Sequence, residues 1–238
     1  MKLKAIHQIE ITSRCNLRCK YCVHPSMPRP KQDMDVTTFA TAIDFAAELY
    51  RTHHAQHELN ICGIGESTIH PDFIYMLNKT RATMPASVAI TLATNGVGWT
   101  AELADQVAAI RDKGFGAINI WVSLHRPEKA GPTIELLKAR DLLSGVSADP
   151  SISAVDWAGQ IKWHVSAKKT ECPWLREGWG IVFSDGRIGT CSFDGQGTDG
   201  VIGTIWDDPE TLKVSPYSLC RSCHQMPPDE KILDRLIR

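Results

Sequence analysis

The sequence lacks the features that mark secreted, membrane-spanning and repetitive proteins. Its first eight residues contain no continuous apolar segment typical of a signal peptide, and no stretch approaches about 18 consecutive apolar residues. We also find no internal repeat and no low-complexity segment. These absences predict a globular cytoplasmic protein without a membrane-spanning helix.

The chain also lacks an excess of charge of either sign. It contains 26 Lys and Arg residues against 27 Asp and Glu residues, so the formal net charge is −1. Proteins that bind nucleic-acid polymers usually carry a basic surplus. Nucleic acid is therefore not the favoured partner, although a local basic patch remains open.

What the chain does contain is a sizeable apolar core and eight cysteines. Its 238 residues, 43% of them apolar, are enough for one large domain or for one domain with an appendage. Disulfide-rich domains are usually short and secreted, and this chain has neither property. We therefore interpret the thiols as metal ligands in a reducing compartment.

Three of the cysteines, Cys15, Cys19 and Cys22, form a C-x3-C-x2-C motif after an alternating run at 9–12 that predicts a strand. Thiolates are suitable ligands for iron–sulfur clusters, zinc or copper(I). Three thiolates could hold three corners of one [4Fe–4S] cube and leave the fourth iron open to a substrate. A zinc knuckle or three unrelated thiols are the alternatives.

Strand and helix patterns alternate along the first two thirds of the chain. Strands are predicted at 59–62, 88–93, 117–124 and 161–165, and helices at 35–50, 71–81, 101–113 and 133–143. This alternation predicts an α/β fold with a parallel sheet that curls into a barrel or partial barrel. Functional side chains should then lie at the carboxyl ends of the strands.

The first cysteine motif, with Tyr21 at its aromatic position, resembles the signature of the radical S-adenosylmethionine (radical SAM) family. The resemblance implies a partial (β/α)6 TIM-like barrel. It also implies that the open iron binds the methionine part of SAM. An electron then cleaves a C–S bond, and a 5′-deoxyadenosyl radical abstracts hydrogen from the substrate. A reducing partner such as a flavodoxin or ferredoxin is implied as well.

Further residues match the SAM-binding positions of this family. Gly63, Gly65 and Glu66 resemble its "GGE" motif, which contacts the SAM amino group, although Ser67 replaces the usual proline. The alternative is an ordinary glycine turn with a helix-capping glutamate. By the same resemblance, polar residues after the third and fourth strands contact SAM and Tyr21 lies near its adenine. The polar positions are Thr94, Asn95 and Ser123. Turn chemistry and simple packing are the alternatives.

Four more cysteines lie in the last third of the chain: Cys172, Cys191, Cys220 and Cys223. A predicted β-hairpin with an Asp185-Gly186 turn precedes the second of them. This arrangement resembles the SPASM and shorter twitch appendages of radical SAM enzymes, which implies one auxiliary [4Fe–4S] cluster. Structural zinc is the alternative. We expect a radical SAM core at 1–168 and a twitch-like domain at 169–238.

The resulting function is oxidation or another radical conversion of a small molecule, with the auxiliary cluster as electron acceptor. Modification of a peptide or protein side chain is the second choice, and a nucleic-acid base is the third. A zinc-binding α/β scaffold is the non-enzymatic alternative. Cys62 is interpreted as a structural thiol, and His224 as an exposed residue. No catalytic residue is assigned, although four residues could accept a proton, namely His125, Arg126, His164 and Lys168.

Overall fold

The computed structural model describes residues 1–55, 57–114, 116–147, 156–162, 171–223 and 226. The strands in these ranges are β1 Ala5–Ile9, β2 Glu58–Asn60, β3 Ala89–Thr94, β4 Ile118–Ser123, β5 Leu143–Ser147, β6 Trp179–Val182, β7 Arg187–Gly189 and β8 Val201–Thr204. The helices are α1 Val36–His53, α2 Phe73–Thr83, α3 Ala101–Arg111, α4 Pro127–Lys138 and α5 Pro173–Glu177.

The strands form one sheet in the order β5-β4-β3-β2-β1-β6-β7-β8. The six strands from β5 to β6 in this order are parallel to their neighbours, and the last two pairings are antiparallel. Helices α1 to α4 lie between successive parallel strands in the chain. The predicted α/β fold with a partial barrel is therefore confirmed, and β5 and β8 form the two edges of a sheet that does not close.

Burial alternates along β4, because successive side chains of a strand point to opposite faces of the sheet. In β4, Ile118, Ile120 and Val122 are buried, whereas Trp121 is 45% exposed. Helix α1 begins directly after Asp35, whose carboxylate accepts hydrogen bonds from two backbone N–H groups. Its apolar face is buried at Phe39, Ala42, Ile43, Ala46 and Leu49.

Two sequence-based boundaries are wrong. The first strand, expected at 9–12, ends at Ile9, and the next residue, Glu10, forms a buried ion pair. The helix expected at 133–143 is α4, which ends at Lys138, and residues 143–147 form β5. Gly145 is a strand residue, and an added Cβ there would collide with the indole of Trp121. Most of the strand expected at 161–165 lies outside the described residues.

The predicted C-terminal hairpin is confirmed, and it joins the main sheet. Strands β6 and β7 pair in antiparallel fashion around Gly186, whose φ of +82° requires glycine or a strained residue. Strand β6 also pairs with β1 in parallel. The expected domain boundary at 168–169 lies outside the described residues and stays a prediction. Within the described ranges, no helix is both long and apolar enough to cross a bilayer.

Candidate functional site

A cavity of about 310 Å³ opens at the carboxyl ends of β1 to β4. The structure brings all ten residues predicted for the first site to its wall. They are Cys15, Cys19, Tyr21, Cys22, Gly63, Gly65, Glu66, Thr94, Asn95 and Ser123. The parallel order of the strands explains this convergence, because the loops that follow parallel strands meet at one edge of the sheet.

Hydrogen-bond donors point at the sulfur atoms of the first motif. The N–H of Leu17 donates to Cys15 Sγ at 3.4 Å, and the N–H of His24 donates to Cys22 Sγ at 3.4 Å. Asn95 Nδ2 lies 3.9 Å from Cys15 Sγ. Donors aimed at sulfur favour the thiolate over the thiol. The three thiols therefore fit a soft, thiolate-ligated group such as a [4Fe–4S] cluster.

Burial favours the neutral thiol over the thiolate at this motif. It raises the pKa of Cys22 to about 11 and also raises the pKa of Cys15. A bound metal centre lowers a thiol pKa because its positive charge stabilises the thiolate. None of the eight cysteines forms a disulfide. Metal binding at this motif is therefore expected to release protons.

The glycines of the loop after β2 let that loop approach the cysteine motif closely. A Cβ added at Gly63 would collide with the Glu10 side chain, and one at Gly65 would collide with the carbonyl oxygens of Thr12 and Arg14. The N–H of Glu66 donates to the Arg14 carbonyl at 2.8 Å. Glycine is therefore needed at both positions because the segment that leads into the cysteine motif lies directly against this loop.

Glu66 is buried, and several protein groups already donate to its carboxylate. Oε1 accepts from the hydroxyls of Thr68 and Thr94, both at 2.8 Å, and Oε2 accepts from the N–H of Asn95 at 2.7 Å. Burial raises the pKa of this carboxyl, and these hydrogen bonds oppose the shift. Glu66 thus links the loop after β2 to the end of β3, and Oε2 can still accept a further donor.

Two other predicted residues also make contacts around the cysteine motif. Asn95 Nδ2 donates to Asn16 Oδ1 at 2.7 Å. Tyr21 Oη forms a 3.0 Å hydrogen bond with His125 Nδ1, and the two rings stack with centroids 5.5 Å apart. His125 lines the cavity as well. The loop that carries the cysteine motif is therefore hydrogen-bonded to the ends of both β3 and β4.

The other candidates divide between the cavity wall and the rest of the molecule. Of the four possible proton acceptors, His125 lines the cavity and Arg126 immediately precedes α4. His164 and Lys168, like His224, lie outside the described residues. Cys62 is half-buried, and burial raises its pKa to about 12. Its side chain does not line the first cavity.

The last four cysteines surround a second, much narrower cavity. Cys172, Cys191, Cys220 and Cys223 all line it, together with Tyr217 and other residues. The N–H of Phe193 donates to Cys191 Sγ at 3.4 Å, which repeats the pattern at Cys15 and Cys22. Each cysteine of a [4Fe–4S] cluster binds a separate iron atom, and four thiols around one cavity fit such a cluster.

Aromatic side chains connect the two cavities. Trp157, on the wall of the first cavity, donates through Nε1 to the Tyr21 carbonyl at 3.0 Å. Its ring lies 5.9 Å from that of Phe193, which lies 5.9 Å from that of Trp174 on the wall of the second cavity. Sequence analysis missed this connection, because these residues belong to no recognisable motif.

A buried ion pair joins the first site to the C-terminal hairpin. The Arg29 guanidinium binds both oxygens of Glu10 at 2.6 and 2.7 Å, and the two side chains are 5% and 2% exposed. Glu10 also accepts from the N–H groups of Ile64 and Ser184. The Arg29 guanidinium lies 4.9 Å from the ring centre of Phe183. One carboxylate therefore contacts β1, the loop after β2, the segment that follows the cysteine motif and the hairpin.

Comparison with protein families and curated proteins identifies related sequences. The family model of the Radical SAM superfamily matches residues 9–170. The chain is 28% identical over 159 residues to the tungsten-containing aldehyde ferredoxin oxidoreductase cofactor-modifying protein of Pyrococcus furiosus, covering 66% of this chain and 40% of that protein. It is 34% identical over 102 residues to the PqqA peptide cyclase of Ruegeria pomeroyi, covering 42% and 25%. The chain thus spans at most 40% of the length of these two relatives.

Solved structures with the same fold cover most of the chain. BtrN in complex with AdoMet and 2-DOIA matches with a TM-score of 0.69 and 18% identity, covering 88% of this chain and 85% of BtrN. The anSMEcpe protein with bound AdoMet and the Cp18Cys peptide matches with a TM-score of 0.55 and 12% identity, covering 91% and 85%. At these identities the likeness establishes the shared fold.

Proposed function

Because the chain belongs to the radical SAM superfamily, we propose that it converts a small molecule by radical chemistry, with an auxiliary [4Fe–4S] cluster as electron acceptor. The observation that carries this proposal is the first cavity. Its wall combines the three cysteines of the family motif with every residue that matches a SAM-binding position. The family implies one [4Fe–4S] cluster and SAM, and the donor set at this cavity fits both.

Each group on the cavity wall has a distinct proposed task. Cys15, Cys19 and Cys22 hold the cluster, and Glu66, Asn95 and Ser123 orient SAM together with Tyr21, Gly63 and Gly65. When bound, the cluster supplies the electron that cleaves SAM, and the resulting 5′-deoxyadenosyl radical takes a hydrogen atom from the substrate. A flavodoxin or ferredoxin supplies that electron to the protein.

The second cavity supports the proposed auxiliary cluster. Its four thiols and the adjoining hairpin favour a twitch-like domain at 169–238, following a core at 1–168. Four thiolates would saturate one cube and leave no iron open. We therefore assign this cluster an oxidising role, in which it accepts an electron from the substrate radical.

The proposed substrate class is supported by what the matched proteins are described as binding or modifying. BtrN, matched over 85% of its chain, was solved with the small molecule 2-DOIA, which favours a small substrate here. Peptide modification is the second candidate, favoured by anSMEcpe with its bound peptide and by the PqqA peptide cyclase.

Ser123 offers a clean test of SAM binding. It lines the cavity, and its hydroxyl makes no hydrogen bond to another described residue. Ser123→Ala therefore removes no such contact. If it contacts the SAM carboxylate, this substitution should weaken SAM binding by about 1.5–3 kcal/mol, roughly 10- to 150-fold. Isothermal titration of the iron-loaded protein measures the affinity.

Ser147→Ala is the matched control for this prediction. Ser147 pairs with Ser123 across β4 and β5, and its hydroxyl donates to the Val122 carbonyl, away from the cavity wall. We expect wild-type SAM affinity in this variant. Equal affinities in both variants would show that Ser123 is only a strand-end residue.

The auxiliary cluster is tested by replacing Cys191 and Cys223 with alanine. Iron should fall from about eight to about four atoms per chain, since one cube is lost. SAM cleavage should continue at the first site, whereas substrate oxidation should fail because the electron acceptor is missing. Iron analysis and quantification of 5′-deoxyadenosine separate the two effects. Zinc bound at these four thiols in the wild-type protein would contradict the proposal.

A further inference from the structure

Three polar side chains on the wall of the second cavity lack a hydrogen-bond acceptor among the described residues. Thr190 and Tyr217 are 2% and 6% exposed, and within the described ranges their hydroxyls have no partner. The Nε1 atom of Trp174 is likewise buried and unpaired. All three side chains line the same narrow cavity as the four cysteines. Each of them carries a hydrogen that can be donated.

Unpaired donors of this kind are unusual in a protein interior. Most buried polar groups have a partner, because an unpaired group keeps the full cost of losing its water. Three unpaired donors around one cavity therefore indicate a bound group that accepts hydrogen bonds. The cavity walls supply thiol sulfur, and the Tyr217 hydroxyl lies beside the Cys191 thiol without a well-aligned hydrogen bond to it.

One protein acceptor lies near Tyr217. A Cβ added at Gly200 would lie 2.6 Å from Tyr217 Cε2 and 2.9 Å from Asp194 Oδ2, so both side chains border this glycine. That oxygen of Asp194 is itself buried without a partner. Because no hydrogen bond joins the two side chains, the Tyr217 hydroxyl remains available to a group bound in the cavity.

We propose that Thr190, Tyr217 and Trp174 donate hydrogen bonds to the sulfur atoms of the auxiliary cluster and thereby raise its reduction potential. This inference rests on the proposed function, in which the four thiols hold a [4Fe–4S] cluster. Hydrogen bonds to sulfur stabilise the more negative, reduced form of a cluster. The N–H of Phe193, which donates to Cys191 Sγ, acts in the same direction.

A higher reduction potential at the auxiliary cluster would direct electrons from the substrate radical to that cluster. The described sulfur contacts at the first site come from backbone N–H groups and from Asn95. The second site adds three side-chain donors in a narrower cavity. An auxiliary cluster with the higher potential accepts an electron from a substrate radical and does not compete with the first cluster in reducing SAM.

The test is a potentiometric titration of the iron-loaded full chain, followed by electron paramagnetic resonance. Added SAM perturbs only the signal of the first cluster, which distinguishes the two signals. Tyr217→Phe and Thr190→Val each remove one hydroxyl and nearly preserve the side-chain shape. We expect each to shift the reduction equilibrium of the auxiliary cluster about tenfold toward the oxidised form, about 59 mV for one electron. The potential of the first cluster should stay unchanged.

Two controls separate hydrogen bonding from packing. Thr190→Ser keeps the hydroxyl and should keep the wild-type potential. Tyr50→Phe removes a hydroxyl that pairs with Ser87 outside both cavities, and it should shift neither potential. Trp174→Phe removes the third donor and should lower the auxiliary potential in the same way.

The outcomes distinguish this inference from the proposed function. Unchanged potentials in Tyr217→Phe and Thr190→Val, with full iron content, would overturn the inference and leave the auxiliary cluster in place. Loss of iron from both variants would also overturn it, since the side chains would then be structural. A wild-type chain with zinc or no metal at the four thiols would overturn the proposed function itself.

Discussion

Replacing Cys15, Cys19 and Cys22 together by alanine is expected to abolish SAM cleavage. The three thiols line the cavity with the SAM-matching residues and accept two of their hydrogen bonds from backbone N–H groups. Without these ligands the first cube is not held, so reconstituted protein should carry about four irons in place of about eight. Production of 5′-deoxyadenosine with SAM and a reductant should fall to background, as measured by chromatography.

Cys62→Ala is the matched control for this variant. Cys62 is a half-buried free thiol that does not line either cavity. Its removal should leave the iron content and SAM cleavage intact. Should the triple variant keep about eight irons, or still cleave SAM, the first motif does not hold the catalytic cluster.

The second large effect is expected from Arg29→Met, which leaves the Glu10 carboxylate buried without its cation. Removing one partner of a buried ion pair typically costs about 3–5 kcal/mol. Glu10 is 2% exposed, and Arg29 is its bidentate partner. Anaerobic denaturant titration followed by tryptophan fluorescence should show a clearly lower unfolding midpoint. Because the pair connects the loop after β2 with the hairpin, iron retention at both sites should also decrease.

Two further variants test the physical reason for this effect. Glu10→Gln combined with Arg29→Met removes the unpaired charge and keeps an oxygen for the Ile64 N–H. This double variant should be more stable than Arg29→Met alone. Lys138→Met breaks an exposed pair with Glu135 and should cost about 0–1 kcal/mol. If Arg29→Met costs no more than this surface control, the buried pair does not hold these segments together.

Much of the site could be predicted from sequence because its chemistry is local. Cys15, Cys19 and Cys22 lie within eight residues, and their spacing favours a shared soft metal centre. The alternation of strand and helix patterns placed Glu66, Asn95 and Ser123 after successive strands. Parallel strands bring such positions to one edge, so their meeting at one cavity follows from topology.

Contacts without a local pattern could not be predicted in this way. Glu10 and Arg29 are separated by 19 positions, and nothing in their surroundings indicates a buried ion pair. Strand β5 was mistaken for the end of a helix, because Gly145 is also a common helix terminator. As a strand it pairs with β4, and Trp121 of β4 packs over Gly145 from 24 positions away in the chain.

The sequence by itself predicts the ligand chemistry of the thiols, and it determined the alternation of strands and helices through β4 and the hairpin at Asp185-Gly186. Each of these depends on residues close together in the chain. Only the tertiary structure decided that β6 pairs with β1 and that Glu66 binds Thr94 and Asn95. It also placed unpaired donors around the second set of thiols. Burial and hydrogen-bond partners depend on every segment that packs around a group, and those segments are distant in sequence.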